Sequence, residues 1–224
     1  MDYTRQSDII TTWLIQNTEI ALIGTGGIGA ITALGLAKMG TGHLLLYDFD
    51  TVEAENIPTQ FLKVSDIGKK KVTSVATMLK EFSDVTGIAY SREVDRLTHL
   101  TSDIVIASVD SIRARQEIWW AIAGKWSILT RPKFYLDARM GAQIFQLYTV
   151  NYQDSEWYAA PLLDLREEDV PDEPCTAKAT IFTALLAAGH ICNAVKRIVM
   201  DQPQPRFIQH DIVADRLLVS QEIA

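Results

Sequence analysis

Cysteine is scarce: the 224-residue chain has two, too few for a cage of paired thiolates, so no structural zinc is expected and, in a reducing compartment, no disulfide. A basic excess is also missing, since 21 Lys and Arg face 28 Asp and Glu for a net charge of −7. Such a surface is not built to neutralise nucleic-acid phosphates or to lie on anionic lipid, so neither a nucleic acid nor a membrane is an expected partner. The opening residues, Met-Asp-Tyr-Thr-Arg-Gln-Ser-Asp, lack the apolar stretch of a secretory signal, which makes the expected location cytoplasmic. The longest apolar run, residues 180–200, is interrupted by His190, Lys196 and Arg197 and reads as a buried helix of a soluble protein. There is no internal repeat and no low-complexity tract. What remains is an ordinary foldable composition, 48% hydrophobic and 22% charged, long enough for one α/β domain.

Strand-like and helix-like stretches alternate through the first half. A short helix is expected over residues 4–15, then a branched apolar strand over 19–24, a glycine-rich turn and a helix over 28–39 that ends at Gly40. A second strand covers 43–47. Val72, Val75, Leu79 and Phe82 recur at spacings of three and four, the mark of a helix with one buried stripe. Strands follow over 87–94 and 102–109. This alternation predicts parallel crossovers and a doubly wound, Rossmann-like sheet with its ligand site at the carboxyl ends of the strands. In the second half, residues 134–141 and 142–150 read as strands with little between them, so antiparallel strands extend the sheet. Residues 151–174 are acidic, with Arg166 the single basic residue, and read as a mobile loop. Ile181, Leu185, Ala188, Cys192, Val195 and Val199 then define a helical seam over 176–200, and residues 206–213 and 216–223 close the chain as strands.

Gly24-Thr25-Gly26-Gly27-Ile28-Gly29 sits between a strand and a helix, the context in which a G-x-G-x-x-G string signals phosphate binding. Glycines let backbone amides approach an anion, and the helix start adds partial positive charge. Asp48, 19 residues beyond Gly29 at the next strand's end, is placed to accept ribose hydroxyls. That placement serves NAD and ATP alike. Three consecutive lysines, Lys69 to Lys71, open a helix against its macrodipole, an arrangement that suggests an anion nearby, although Lys69 and Lys70 read as a solvated basic face. Asp110 ends a strand and precedes a helix, where it is either an N-cap or a hard oxygen ligand for a metal ion.

The block Asp48-Phe-Asp50-Thr-Val52, Asn56, Gln60 and Asp66-Ile-Gly68-Lys69-Lys70-Lys71-Val72 resembles the ThiF/MoeB superfamily, adenylate-forming enzymes that activate ubiquitin-like and sulfur-carrier proteins. The resemblance runs from Tyr3-Thr-Arg5-Gln6 to Asp110 and stays in register, more weakly, beyond it. It implies a single adenylation domain: an N-terminal helix (1–18), a nucleotide-binding core (19–150), an acidic crossover loop (151–175), and a C-terminal helix with strands (176–224). It implies ATP held by Gly24, Gly26, Gly27, Gly29, Asp48 and Asp50, phosphates on Asn56 and Lys71, and Mg2+ on Asp110. Arg5 matches an arginine that reaches into a neighbouring protomer, so a homodimer is implied. The family commonly has arginine where this chain has Thr59. Either another base such as Arg139 supplies that charge or activity is reduced. The short length implies a compact type, as found in bacteria, plasmids and phages.

The two cysteines are unlike. Cys192 lies in the apolar seam and reads as structural. Cys175 stands before Thr176 at a helix start, where thiol pKa falls. Cys175-Thr176 also resembles the Cys-Thr pair of autophagy-type activating enzymes, which implies a thioester. The implied reaction is attack by the C-terminal glycine carboxylate of a carrier on the α-phosphate of ATP, with Arg5, Lys71 and Asp110 serving the chemistry and Cys175 a candidate acyl acceptor. The acidic loop suggests a basic patch on that carrier. Two other readings stay open: an NAD-dependent oxidoreductase, which uses the glycine loop and Asp48 alone, and a non-catalytic adenylation-like scaffold, for which Thr59 argues.

Overall fold

A run of branched apolar residues with no polar interruption is stable only when covered on both faces, and β1 (Glu19–Ile23) is covered in this way. It lies parallel between β2 (His43–Tyr47) and β4 (Ile104–Ala107). A computed structural model of the chain describes residues 1–123, 132–151, 154–166, 168 and 179–221. Among these described residues the sheet has eight strands, in the order β3-β2-β1-β4-β5-β6-β7-β8. β3 (Gly87–Tyr90) and β5 (Phe134–Gly141) extend the parallel part, and β6 (Ile144–Asn151), β7 (Phe207–Asp211) and β8 (Arg216–Ser220) continue it antiparallel. The expected fold class therefore holds: a Rossmann-like α/β sheet, parallel first and antiparallel towards the C-terminal half. After β1 the chain goes to β2 on one side, and β4 lies on the other. This reversal opens a crevice at the carboxyl ends of β1 and β4.

The pleat divides the core in two. Ile20, Leu22, Leu44, Leu46, Ile104 and Ile106 face one layer, shared with α1 (Thr12–Gln16), α2 (Gly27–Met39), α3 (Lys71–Phe82) and α6 (Ile181–Val199). Ala21, Ile23, Tyr47, Val105 and Tyr135 face the other, closed by α4 (Ile112–Ala123) and α5 (Glu156–Asp164). α2 ends as expected, with Gly40 in the left-handed conformation after it.

Four local expectations change. The N-terminal helix is not continuous: a 3-10 turn at Thr4–Gln6 and the short α1 are separated by residues 7–11, where Ser7 turns its hydroxyl back onto the Thr4 carbonyl. The β-branched Ile9-Ile10-Thr11-Thr12 run adds to the break. The acidic segment is not a loop throughout, because Tyr158 and Leu162, four residues apart, bury one face of α5. In α3, Val72, Val75 and Leu79 are buried as expected but Phe82 is exposed. In α6, the only described helix long and apolar enough to cross a membrane, the buried face is Ala184, Ala187, Ala188, Ile191, Ala194 and Val195, and Leu185 points outward. Small residues win that face because α6 packs closely along α2, with the Cys192 sulfur set against Gly35.

The α6 contact predicts a contrast in denaturant unfolding. Ile191→Ala, which empties a fully buried site, is expected to lower stability by about 2–5 kcal/mol. Leu185→Ala, on the same helix, is expected to stay within about 0.5 kcal/mol of the parent.

Candidate functional site

The glycine loop follows from steric limits at the end of β1. Gly24 has φ +88°, and a Cβ there would come within 2.5 Å of the Ser108 carbonyl oxygen. A Cβ on Gly29 would penetrate the Gly24 carbonyl. Only glycine at both places lets the strand turn into α2 beneath β4. Ser108 locks the crossing: its amide donates to the Ile23 carbonyl at 2.8 Å and its hydroxyl to the Gly24 carbonyl at 2.8 Å. Gly26 caps α2 and Gly27 is its first residue, so the first amides of the helix face the crevice.

Asp48 ties this loop to the end of β2. Its Oδ2 accepts the Thr25 amide at 2.7 Å and the Thr25 hydroxyl at 2.9 Å, and its Oδ1 accepts the Asp50 amide at 2.8 Å. The segment after β2 then pairs with the approach to α3: Val52 donates to the Lys69 carbonyl, Gly68 to the Val52 carbonyl and Lys71 to the Asp50 carbonyl. The two halves of the sequence block are thus one structural unit. Within it Lys71 is buried and its Nζ bonds Asp50 Oδ2 at 2.8 Å. Lys69 pairs with Asp66 and Lys70 donates to the Phe49 carbonyl. The lysines therefore have carboxylate and carbonyl partners within this unit, and Lys71 alone of the three lies in the helix and is buried.

Asn56 accepts the Glu53 amide through Oδ1 at 2.9 Å, which leaves its NH2 end to donate to an anion. Thr59 and Gln60 come to the loop from above: the Thr59 carbonyl and the Met140 methyl stand 3.4 Å from a Cβ position on Gly27, and Gln60 Nε2 3.8 Å from one on Gly26. Beyond Gln60 a cavity of about 440 Å3 opens between residues 57–69 and α3, walled by Ile57, Phe61, Met78 and Phe82. Asp110 follows β4 at the same sheet edge and is exposed. It does not cap α4, because Ser111 Oγ accepts the Ala114 amide at 3.1 Å. Among the described residues no three His, Cys, Asp or Glu side chains gather as a metal cage. One carboxylate at a strand end still suits magnesium, which keeps waters and substrate phosphates as its remaining ligands.

Two expected residues lie elsewhere. Arg5 is exposed, in a turn held to the far end of α2 by Tyr3 against Gly40 and by Gln6 Nε2 on the Met39 carbonyl at 3.0 Å. A 13-residue helix is about 20 Å long, so Arg5 is remote from its own chain's glycine loop. Arg139 does not stand in for Thr59. β5 presents Met140 to Gly27, and Arg139 falls on the opposite face, where Nε bonds Asp137 at 2.7 Å and the guanidinium stacks 4.5 Å over Tyr148. Burial alone would lower the Arg139 pKa, but the Asp137 carboxylate together with Tyr158 and Tyr148 raises it. Cys175 lies outside the described residues. Cys192 fits its structural reading, since burial pushes its thiol up to about 12.

Ser108, Thr25, Arg115 and Asp137 belong to the site's framework without having been singled out in the sequence. Thr25 left a trace, as a member of the glycine string.

Comparison with known proteins places this geometry. A family model described as the ThiF family matches residues 12–222. Ubiquitin-like modifier-activating enzyme 5 of Bombyx mori is 32% identical over 120 residues, 46% of this chain and 30% of the relative. The enzyme of the same name from Oryza sativa subsp. japonica is 32% identical over 122 residues, 46% of this chain and 29% of the relative. The chain thus spans about a third of the length of these curated relatives. Among solved structures, E. coli MccB with ATP superposes with a TM-score of 0.72 over 93% of this chain and 65% of that one, at 17% identity. PaaA does so with a TM-score of 0.69 over 93% and 74%, at 18% identity. The structural likenesses, each over 93% of this chain, show a shared fold.

The double anchoring of Asp48 gives it a role in the free protein. Asp48→Ala orphans the donors of buried Thr25, and is expected to lower the stability of the nucleotide-free chain by about 1–3 kcal/mol in urea unfolding. Unchanged stability would confine Asp48 to ligand contact.

Proposed function

The chain belongs to the ThiF family, and from that premise we propose that it adenylates the C-terminal glycine carboxylate of a ubiquitin-like or sulfur-carrier protein at the expense of ATP. The observation that carries this reading is the unit formed by the end of β2 and the start of α3, which sets buried Lys71 beside Asp50 while Asp48 of the same unit grips the glycine loop. A dinucleotide oxidoreductase has no use for such a buried lysine or for Asn56. It needs only the loop and the acid at the end of β2.

In the proposed reaction a carboxylate oxygen of the carrier attacks the α-phosphorus. The new P–O bond gives the acyl-adenylate, and the bond to the β-phosphate breaks to release pyrophosphate. The chain's part is positioning and charge neutralisation. Amides of Gly26 and Gly27 at the start of α2 hold phosphate oxygens, Asp48 holds the ribose, and Asn56 donates to the phosphate end. Lys71 exchanges its Asp50 partner for the incoming phosphates, which leaves Asp50 at the nucleotide's edge. Asp110 would hold magnesium, which would supply charge neutralisation at the leaving pyrophosphate. Arg5 is too far along α2 to reach its own site, so its service to the phosphates requires a second copy of the chain, and a homodimer is part of the proposal. The thiolate of Cys175 then attacks the acyl carbon, forming a thioester as AMP leaves.

ATP–pyrophosphate exchange tests the reaction, run with magnesium and small proteins ending in glycine. Exchange is expected to depend on the carrier and to fall at least about 100-fold in Lys71→Ala and in Asp110→Ala, as when a group that stabilises transferring charge is removed. ATP binding with no carrier-dependent exchange would point instead to the scaffold reading and to Thr59, which brings no charge to the phosphate end.

A further inference from the structure

We propose that Arg115 is a positioning residue, a buried strut that fixes where Asp110 stands at the ligand edge. This rests on the reading of Asp110 as the magnesium ligand. Arg115 projects from α4 and is 4% exposed. Its Nη2 donates to the carbonyl of Val109, the residue directly before Asp110. Its Nη1 donates to the Asp137 carboxylate and, at 3.4 Å, to the Ala138 carbonyl, both on β5. Asp137 is itself fully buried and immobilised by Arg139 Nε at 2.7 Å and the Tyr158 hydroxyl at 2.8 Å. One planar guanidinium therefore joins the β4–α4 turn, α4 and β5. On the other side of Asp110, Ser111 is fixed by its cap on α4. The exposed carboxylate is thus carried by a backbone held from both directions.

Stability does not explain this arrangement. Desolvating a guanidinium and a carboxylate costs several kcal/mol per ion, and apolar residues of the same volume commonly serve a core as well or better. The fork supplies what apolar packing cannot, a fixed distance and angle between a turn and a neighbouring strand. A lysine at this place has a charge but no fork and can satisfy only one of the two anchors well.

The test is a calorimetric titration of the full chain with ATP, once in Mg2+ and once in EDTA, for the parent, Arg115→Lys, Asp110→Ala and the double variant. Residues that hold a metal ligand in place cost about 10–100-fold in metal affinity or activity when lost. Arg115→Lys is accordingly expected to weaken ATP about 10-fold or more in Mg2+ while leaving affinity in EDTA unchanged. The double variant should bind no more weakly than Asp110→Ala, because both changes remove one contribution. Equal losses in Mg2+ and EDTA, or additive losses in the double variant, would overturn the strut and leave Arg115 a packing residue. If Arg115→Lys does not fold, Asp137→Asn removes the other anchor and must show the same magnesium-selective loss. A parent chain whose ATP affinity ignores Mg2+ overturns the strut together with the metal assignment. Failure of every carrier to support exchange would sink the reaction alone, since this titration needs no carrier.

Discussion

The end of β1 must turn into α2 directly beneath the carbonyl of Ser108, in space that admits no Cβ at Gly24 or Gly29. The rest of the site depends on this constraint. It brings the first amides of a 13-residue helix to the crevice between β1 and β4, and it makes a neighbouring strand, through Ser108, part of the loop's support. Asp48 supplies the second support by taking both donors of Thr25. The N-terminal end of α2 is therefore tied to two neighbouring strands, an arrangement that would lower the ordering cost of the binding proposed there.

Around that rigid centre the charges are stored in pairs. Lys71 is held by Asp50, and the two guanidiniums of Arg115 and Arg139 share Asp137. These pairs differ in purpose as well as place. Asp50 is partly open to solvent and can yield its lysine to a stronger anion, whereas Asp137 is sealed and serves as a fixed anchor. The same sheet edge thus combines a solvent-reachable ion pair with a sealed frame, which supports the charge stabilisation proposed for it. The length of α2 adds a further consequence: Arg5 stands at its far end, so the role proposed for it at the phosphates requires a second copy of the chain.

Much of this was legible in the sequence because the informative features are local. The strand over 43–47 has the observed bounds of β2, and the glycine loop and Asp48 stood out by spacing and Lys71 by resemblance, though not its burial. The remainder was hidden for physical reasons. α6 carries large apolar residues outside its buried face, Phe182, Leu185 and Leu186, so a seam through Leu185 was suggested, whereas close packing on α2 selected the alanines. The acidic count in residues 151–174 masked the Tyr158 and Leu162 pair that buries α5. Arg139 looked available because the sequence does not show which face of β5 it occupies, and Arg115 and Asp137, 22 residues apart, meet only when β4 and β5 pair.

This glycine loop, linked to Lys71 through Asp48 and Asp50, is proposed as a triphosphate site. Its most direct test is competition between ATP and NAD for the chain, measured by equilibrium binding in the presence of magnesium. ATP is expected to bind and NAD to compete poorly, because NAD offers Asn56 and Lys71 no terminal phosphates. Tighter binding of NAD than of ATP would contradict the claim and return the loop to a dinucleotide role.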